Sequence, residues 1–254
     1  MSLRGQVEPL YERYLRWQCK HIPAHIAIIQ DGNRRYARLN NVGTIDGHRA
    51  GAETTQRVLE WAQDLGIRTI TLYSFSTENF NRDSVEVNYL FDLFKKKFAE
   101  ICEDDRVHRN QIRVQMIGDR SMLPPDLLRI VEAAEDATRQ YSRYFLNIAL
   151  AYGGRNEIVH AARGVVAGVR DGTVDADVIT PKTVESFLYD GIHLPPVDLI
   201  VRTGNERRTS NFLPWMANGN ECAVYFCAPY WPVFRRIDLL RAIRVYDQRM
   251  RRRR

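Results

Sequence analysis

The sequence predicts an α/β fold: a single domain in which about six mostly parallel strands form a central sheet flanked by helices. Short runs bounded by turn residues indicate strands, and the first of them, the isoleucine-rich run from Ile26 to Ile29, indicates a buried parallel strand. Stretches with helical periodicity separate these runs, as expected of parallel strands joined by crossover helices. With 254 residues, of which 44% are hydrophobic, the chain is long enough to bury one substantial core.

The predicted elements alternate along the chain. The predicted strands are residues 25–30, 68–75, 112–117, 145–151, 197–201 and 223–226. The predicted helices are residues 6–20, 36–39, 47–64, 83–103, 124–140, 155–169, 181–189 and 236–250. In the first helix, the apolar side chains at helical spacing are expected to pack on the domain rather than on a partner helix. These are Val7, Leu10, Tyr14 and Trp17.

Positive charge is concentrated at one end of the chain. The formal net charge is +6, and residues 249–254 carry five positive charges, which leaves +1 (6 − 5) for the rest. A basic nucleic-acid-binding surface is therefore not indicated, and we predict no nucleic-acid partner. We divide the chain into an N-terminal helix (1–21), a main domain (22–248) and a polybasic tail (249–254). The tail is expected to be disordered and solvated, with contact to anionic lipid or RNA left open.

The cysteines and the apolar runs bear on location. The four cysteines, at positions 19, 102, 222 and 227, form no CxxC pair and no zinc-binding spacing with histidine. This pattern favours a reducing, cytoplasmic setting. No signal-peptide pattern opens the sequence, and no apolar run approaches the roughly 20 residues that span a bilayer. We therefore expect any membrane contact to be peripheral.

The stretch Asp31-Gly32-Asn33-Arg34-Arg35 directly follows the first predicted strand. Glycine and Asx residues favour a turn into a helix, and such a junction directs backbone N–H groups at a spot that suits phosphate. The arginines add positive charge, and Asp31 stands where open α/β sheets place their sites. Two interpretations remain open on this stretch alone. Asp31 joins a divalent cation to a phosphate, or it only caps a helix beside solvated arginines.

Two further strand ends carry polar clusters. After the second strand, Ser76, Asn79 and Arg82 are suited to an oxyanion, but a hydrogen-bonded turn is the favoured interpretation of this cluster alone. After the fifth strand, residues 202–210 hold arginines, a glycine and hydroxyls, which favours a diphosphate-sized ligand over a surface turn. A metal would need a second acid beside Asp31, and Glu221 is the candidate carboxylate.

Other motifs limit the choice of function. No G-x-G-x-x-G follows the first strand and no Walker A motif is present, so binding of dinucleotides or nucleoside triphosphates is disfavoured. Phosphate-binding strand ends beside an apolar helix, residues 83–103, indicate amphiphilic substrates.

Five ordered motifs resemble those of the cis-prenyltransferases, the undecaprenyl (or dehydrodolichyl) diphosphate synthases. They are Asp31-Gly-Asn-x-Arg35, Gly47-His48-x-Ala-Gly51, Tyr73-x-Phe-Ser-x-Glu-Asn-x-x-Arg82, Tyr152-Gly-Gly-Arg155 and Arg202-Thr-Gly-x-Glu-x-Arg208-x-Ser-Asn-Phe212. The resemblance extends in the family's order over about residues 22–247, which makes it specific. The forms that these motifs take in this sequence are most similar to those of archaeal members.

The resemblance implies a homodimeric, Mg²⁺-dependent enzyme that adds isopentenyl diphosphate to an allylic prenyl diphosphate, with new double bonds cis, for a glycosyl carrier lipid. An apolar tunnel would house the growing chain. By position, Asp31 and Glu221 would bind the metal, and Asp31 and Asn79 would be catalytic. Since a neutral amide is a poor base, we expect the released diphosphate or a water to take the proton. The implied substrate-binding residues are Gly32, Asn33, Arg34, Arg35, Tyr36, His48, Ser76, Thr77, Glu78, Phe80, Arg82, Arg202, Arg208, Thr209 and Ser210.

The sequence departs from the family pattern in places. Thr44 stands where a phosphate-binding arginine is usual, Arg207 stands where a histidine is common, and Tyr144 falls near the expected far end of the tunnel. Three alternatives remain: prenyl transfer to an alcohol or a second prenyl diphosphate, a non-catalytic scaffold subunit, and RNA binding through the tail.

Overall fold

A six-stranded parallel sheet forms the centre of the molecule. The structure is a computed structural model that describes residues 3–192, 194–217 and 222–252. The strands are β1 (His25–Ile29), β2 (Thr69–Tyr73), β3 (Ile112–Ile117), β4 (Tyr144–Ala149), β5 (Leu199–Arg202) and β6 (Ala223–Phe226), and they join in the order β3-β4-β2-β1-β5-β6. Each neighbouring pair is parallel. The predicted fold class is confirmed.

Helices connect the strands. They are α1 (Leu3–Gln18), α2 (Asn33–Leu39), α3 (Thr44–Asp64), α4 (Ser84–Glu103), α5 (Asp105–Arg109), α6 (Pro125–Thr138), α7 (Gly154–Arg170), α8 (Pro181–Glu185) and α9 (Arg236–Arg252). Short 3₁₀ helices occur at Thr77–Asn81, Arg120–Met122, Ala176–Val178, Leu188–Gly191 and Trp231–Val233.

The central strands of the sheet are covered on both faces, which explains why their sequences are mostly apolar. In β1, Ile26 and Ile28 face a core formed with α3, α4, α6 and α9. Ala27 and Ile29 face a second core, to which α7 contributes Ala161. Successive side chains of a strand point to opposite faces, so a strand buried on both sides is mostly apolar.

The strand register brings the chemistry-bearing segments together. Ile29 pairs with Tyr73 of β2 and with Arg202 of β5. Because the strands are parallel, the residues that follow each of them emerge at the same edge of the sheet. The segments that begin with Asp31, Ser74 and Arg202 therefore lie side by side, at the carboxyl edge where open α/β sheets bind ligands.

The predicted helix over 181–189 is wrong in its second half. α8 ends at Glu185, and a 3₁₀ turn follows at Leu188–Gly191. Tyr189 has a φ of 52°, which a helix does not allow, and its ring is buried against that of Tyr152. Tertiary packing of this side chain overrides the local helical pattern.

The apolar face of α1 does not pack on the domain as expected. Its four large side chains are exposed, whereas Leu15 and Cys19 are buried. Leu15 and Cys19 join the core formed with α9, and Tyr11 packs against it. The exposed residues and the buried residues both recur at helical spacing, and the domain covers the set that contains Leu15 and Cys19.

The polybasic tail is helical where it is described, contrary to the expected disorder. α9 continues through Arg252. Arg249 Nη1 donates to the carbonyl oxygen of Cys222 at 2.6 Å, and Arg251 Nη2 lies 2.7 Å from Asp247 Oδ2. The contact with Cys222 holds the last turns of the helix against the domain, and the Arg251–Asp247 pair lies within the helix. In the described ranges, no helix has both the length and the apolar composition needed to cross a bilayer.

Candidate active site at the carboxyl edge of the sheet

Asp31 is held between two arginines just past the end of β1. Its Oδ2 accepts a hydrogen bond from Arg202 Nη2 at 2.8 Å, and its Oδ1 lies 3.0 Å from Arg35 Nη2. Its backbone carbonyl oxygen accepts from Thr203 Oγ1 at 2.7 Å and from the Trp231 amide at 3.0 Å. Main chain and carboxylate are therefore both fixed, and the carboxylate lies between two guanidinium groups.

Gly32 allows the chain to turn directly from Asp31 into α2. Its φ is 115°, and a Cβ built there would lie 2.7 Å from the Tyr230 side chain. The Arg35 guanidinium also lies over the ring of Tyr230, with its central carbon 5.3 Å from the ring centroid. The absence of a side chain at Gly32 thus lets this aromatic residue position one of the two cations beside Asp31.

Arg202 is the buried cation of the site, with 4% of its side chain exposed. Besides Asp31, its Nη1 donates to Ser210 Oγ at 2.5 Å and to the carbonyl oxygen of Arg208 at 2.7 Å. Its Nε is buried and has no hydrogen-bond partner within the described part of the chain. A planar guanidinium held in this way orients Ser210 and the segment of Arg208 toward Asp31.

A second carboxylate, Glu206, balances the arginines on the open side of the site. Its Oε1 lies 3.3 Å from Arg35 Nη1, and its Oε2 forms an ion pair with Arg208 Nη1. Arg208 is mostly exposed. Because exposed ion pairs are weak, a polyanion that offers several oxygens can take over the Arg208 partner position.

A second polar cluster surrounds His48 on α3. His48 Nε2 lies 2.9 Å from Glu86 Oε1, and the same oxygen accepts from Arg82 Nη1 at 2.9 Å. The other ring nitrogen, Nδ1, lies 3.4 Å from the side-chain amide nitrogen of Asn33, Nδ2. Since a carboxylate only accepts, Nε2 carries the proton and Nδ1 accepts.

Burial lowers the pKa of His48 below its usual value of 6.5, and the hydrogen bond to Glu86 opposes only part of this effect. His48 is therefore neutral near pH 7. The positive charge of this cluster comes from Arg82 and from Arg34, whose Nη1 lies 3.9 Å from Glu86 Oε2.

The turn after β2 is stabilised by its own side chains. The backbone N–H of Ser76 donates to Asn79 Oδ1 at 3.2 Å, and the Ser76 hydroxyl accepts from the Asn79 backbone in a capping box. The ring of Phe80 packs edge-on against Phe75, with centroids 4.9 Å apart. The hydrogen-bonded turn favoured for this cluster alone is present, and it directs Ser76 and Asn79 to the site.

A cavity of about 1000 Å³ extends from these polar clusters between the sheet and the helices α3 and α4. Its middle is apolar, with Leu72, Phe94 and Phe98 among the lining side chains. At its far end lie α5 and Tyr144, the first residue of β4. Since Asp31 lies at the carboxyl edge and Tyr144 at the amino edge, the cavity runs the length of the strands, roughly 17 Å.

Most of the predicted site residues line this cavity. They are Asp31, Gly32, Asn33, Arg34, Arg35, His48, Ser76, Glu78, Asn79, Arg82, Arg202, Arg208 and Ser210. Four others, namely Tyr36, Thr77, Phe80 and Thr209, are not among the lining residues. Glu221 falls outside the described residues.

Sequence reasoning missed two carboxylates of the site, Glu86 and Glu206. Glu86 forms an i,i+4 ion pair with Arg82 at the start of α4, and this spacing is the signal that could have found it. Glu206 was noted in the motif that begins at Arg202, but its pairing with Arg35 depends on the β1–β5 register.

The donor set suits a hard cation that is shared with a ligand. Among the described residues, no group of three or more His, Cys, Asp and Glu side chains is arranged to hold a metal. Asp31 offers a partly exposed carboxylate beside the cluster of arginines. Mg²⁺ is typically bound by one or two carboxylates together with substrate phosphates, so Asp31 fits this mode and a cage made of protein alone does not.

Comparisons with known proteins agree with this geometry. A family model described as putative undecaprenyl diphosphate synthase matches residues 29–254. Two curated proteins named tritrans,polycis-undecaprenyl-diphosphate synthase (geranylgeranyl-diphosphate specific) are 50% identical to this chain. The one from Haloarcula marismortui covers 94% of this chain and 78% of its own length. The one from Halobacterium salinarum covers 94% and 79%.

Two solved structures are also similar to this chain. The crystal structure of lavandulyl diphosphate synthase from Lavandula x intermedia, in complex with dimethylallyl diphosphate, superposes with a TM-score of 0.82 at 34% identity, over 89% of this chain and 95% of that chain. A probable undecaprenyl diphosphate synthase from Campylobacter jejuni superposes with a TM-score of 0.71 at 26% identity, over 89% and 95%. The resemblance found in the motifs is confirmed: the chain belongs to the undecaprenyl diphosphate synthase family, the cis-prenyltransferases.

Proposed function

We propose that this protein condenses isopentenyl diphosphate with an allylic prenyl diphosphate and so builds a cis-polyprenyl diphosphate. The observation that carries the proposal is the carboxylate of Asp31, fixed by Arg35 and Arg202 at the mouth of an apolar cavity of about 1000 Å³. A charged mouth and an apolar interior match a substrate with a diphosphate head and a hydrocarbon tail. The names of the archaeal relatives support geranylgeranyl diphosphate as the allylic primer.

Two diphosphates have separate sets of partners in this proposal. The allylic diphosphate binds the turn from Gly32 to Arg35 together with His48. The isopentenyl diphosphate binds Arg202, Arg208 and Ser210, which are already linked by hydrogen bonds through Arg202. The two sets meet at Asp31, so the two reacting carbons are held close together with their hydrocarbon parts directed into the cavity.

The chemistry needs stabilisation of negative charge on a leaving group. The C–O bond to the allylic diphosphate breaks, a C–C bond forms to isopentenyl diphosphate, and a proton leaves the new chain. Fixed guanidinium groups lower the barrier because negative charge develops on the departing diphosphate. When bound, Mg²⁺ supplies Lewis-acid stabilisation of that charge, and Asp31, with Glu221, is its proposed protein ligand. Asn79 orients the acceptor of the proton, and the enzyme works as a homodimer.

The test is incorporation of labelled isopentenyl diphosphate into extractable lipid, with geranylgeranyl diphosphate as primer and Mg²⁺ present. We expect Asp31→Asn to reduce incorporation by on the order of a thousandfold, because the residue loses the charge that pairs with metal and arginines. Asp46→Asn is the matched control, since Asp46 is an exposed residue of α3 paired with Arg49 at 3.4 Å. No incorporation by the wild-type protein with any allylic primer would contradict the proposal.

A second candidate keeps the fold and changes the acceptor. The similarity to lavandulyl diphosphate synthase favours it, because that relative keeps the fold and is named for a different product. In this case the prenyl group would be transferred to a second allylic diphosphate or to an alcohol. Mass spectra of the products distinguish the two candidates, since repeated addition of isopentenyl diphosphate gives a ladder of masses one isoprene unit apart.

A further inference from the structure

The outer face of α1 carries a stripe of exposed apolar side chains, here called the α1 stripe. Val7, Leu10, Tyr14 and Trp17 are 58%, 66%, 48% and 68% exposed. They lie three or four residues apart and therefore on one side of the helix. Single exposed apolar residues are normal on a protein surface, but a continuous row of four large ones marks an interaction site.

The α1 stripe ends in aromatic residues of the kind found at membrane surfaces. The rings of Tyr14 and Trp17 are 6.3 Å apart. The hydroxyl of Tyr14 accepts a hydrogen bond from Gln18 at 2.6 Å. Tyrosine and tryptophan combine an apolar body with a polar tip, which suits the boundary between lipid headgroups and acyl chains.

Exposed basic side chains lie beside the α1 stripe on α1 and at the end of α9. The border consists of the exposed residues Arg13, Arg16, Lys20 and Arg252, beside Arg251, whose charge is paired with Asp247. Lys20 Nζ lies 5.1 Å from the centroid of the Trp17 ring. Arg251 Nη2 donates to the carbonyl oxygen of Gln18 at 2.5 Å, which brings the basic end of α9 to the end of α1.

The acidic residues of this region do not cancel the basic border. Glu8 is paired with Arg235 at 3.1 Å, and Asp247 is buried between His21 and Arg251. Glu12 is only partly exposed. The exposed charge beside the α1 stripe is therefore positive, and it complements an anionic surface.

We propose that the α1 stripe and its basic border dock this protein onto an anionic membrane, with α1 lying in the plane of the interface. The apolar side chains would enter the headgroup region, while arginines and Lys20 contact lipid phosphates. A second copy of the chain is the less suitable occupant, because a symmetric pairing of this face would oppose two identical positive borders. The proposal goes beyond the enzymatic function and does not depend on it.

The experiment measures binding of the full chain to vesicles by co-sedimentation. Vesicles of phosphatidylglycerol and phosphatidylcholine are compared with vesicles of phosphatidylcholine alone. We expect binding to the anionic vesicles that weakens with added salt. Leu10→Glu combined with Trp17→Glu should weaken it about a hundredfold, because two large apolar groups no longer enter the interface. Val166→Glu is the matched control, since Val166 is 59% exposed on α7.

A second variant tests the charge without touching the apolar residues. Arg13→Gln combined with Arg16→Gln should weaken binding to anionic vesicles about fivefold for each arginine removed. Thermal unfolding of each variant checks that the fold is retained, and these two exposed positions do not contact the core. Equal binding to both kinds of vesicle, no binding at all, or unchanged binding by the variants would overturn the proposal. A wild-type dimer that dissociates in the Leu10→Glu, Trp17→Glu variant would show instead that a second copy covers the stripe.

Discussion

At the scale of single residues, Arg202 connects the two halves of the candidate site. It is buried, and it contacts the carboxylate of Asp31, the hydroxyl of Ser210 and the main chain of Arg208. A buried guanidinium is unfavourable unless it is paired and hydrogen-bonded, and here three partners on two segments engage its two terminal nitrogens, Nη1 and Nη2. The same contacts fix the relative positions of the groups proposed to bind the two diphosphates.

We expect Arg202→Lys to lower kcat/KM for isopentenyl diphosphate by about a hundredfold, even though the charge is kept. A lysine ammonium cannot reach Asp31 and Ser210 with a planar fork, so the link between the two segments is lost. Steady-state kinetics with labelled isopentenyl diphosphate measure the effect, and the exposed Arg207 provides the control Arg207→Lys. Equal kinetics for the two variants would show that the fork has no role.

Gly32 and Gly66 offer a matched test of the space beside Asp31. Both have positive φ, 115° and 81°, but a Cβ at Gly32 would lie 2.7 Å from Tyr230 and a Cβ at Gly66 would have nothing within 4 Å. We expect Gly66→Ala to lower the free energy of unfolding by about 1 kcal/mol, because of backbone strain alone.

Gly32→Ala should lower the free energy of unfolding by about 1–3 kcal/mol more than Gly66→Ala does, since Tyr230 must move. This substitution should also reduce activity. Urea unfolding and incorporation assays measure the two effects. Identical losses of stability for the two variants would mean that Tyr230 gives way without cost.

Sequence reasoning located the residues whose position follows from one rule. Asp31 and Ser76 follow buried strands and Arg202 ends one, and parallel strands bring their carboxyl ends to one edge. Glu206 was not assigned a role, because its contact with Arg35 requires knowing that β5 is the neighbour of β1. The roles assigned to Asn79 and to the metal ligands rest on the resemblance and stay predictions.

At the scale of elements, a buried histidine joins three strands of the sheet. His25 begins β1, its Nδ1 lies 2.8 Å from the carbonyl oxygen of Pro195, and its Nε2 lies 2.8 Å from Thr71 Oγ1 on β2. Thr71 in turn accepts from Asn147 Nδ2 on β4 at 3.2 Å. Because a carbonyl oxygen only accepts, Nδ1 carries the proton of a neutral ring.

This arrangement predicts a pH dependence of stability. Burial lowers the pKa of His25 below its usual 6.5, so the unfolded chain binds a proton there more readily than the folded one. The contribution of the neutral ring is therefore complete above about pH 6.5 and is lost as the pH falls toward the folded-state pKa.

We expect the free energy of unfolding to fall more steeply between about pH 7 and pH 5 in the wild type than in His25→Asn, which keeps a donor for Pro195 but does not titrate. Urea unfolding at several pH values measures the difference in slope. Parallel curves for the two proteins would assign the acid sensitivity to other groups, such as His48, whose pKa burial also lowers.

The elements differ in how well the sequence defines them. The strands were predictable because apolar runs buried on both faces leave little ambiguity. The side of α1 that packs on the domain was not predictable, because two sets of apolar residues recur at helical spacing along it. One contains Leu10 and Trp17, the other Leu15 and Cys19, and only the fold decides which one α9 covers.

α5 is too short for a periodic pattern, and its Asp104 cap, which accepts from the Arg106 amide at 2.8 Å, was not recognised.

At the scale of the whole molecule, one cavity connects the two edges of the sheet. Its polar mouth lies at Asp31 and its far end at Tyr144. Near that end, Arg106 of α5 pairs with Glu60 of α3 at 2.8 Å and with Asp104 at 2.7 Å. The Arg106–Glu60 pair joins α5 to α3, and an apolar chain that grows from the mouth therefore meets charged groups and the ring of Tyr144.

If the product grows along this cavity, the size of Tyr144 limits its length. We expect Tyr144→Ala to shift the products toward longer chains by about one or more isoprene units, because the vacated volume continues the apolar lining. The same loss of a ring in Tyr89→Ala is the control, since Tyr89 is partly buried on α4 but does not line the cavity. Mass spectra of the lipid products measure the distribution. An unchanged distribution in Tyr144→Ala, with activity retained, would mean that the chain leaves the cavity before it reaches the amino edge of the sheet.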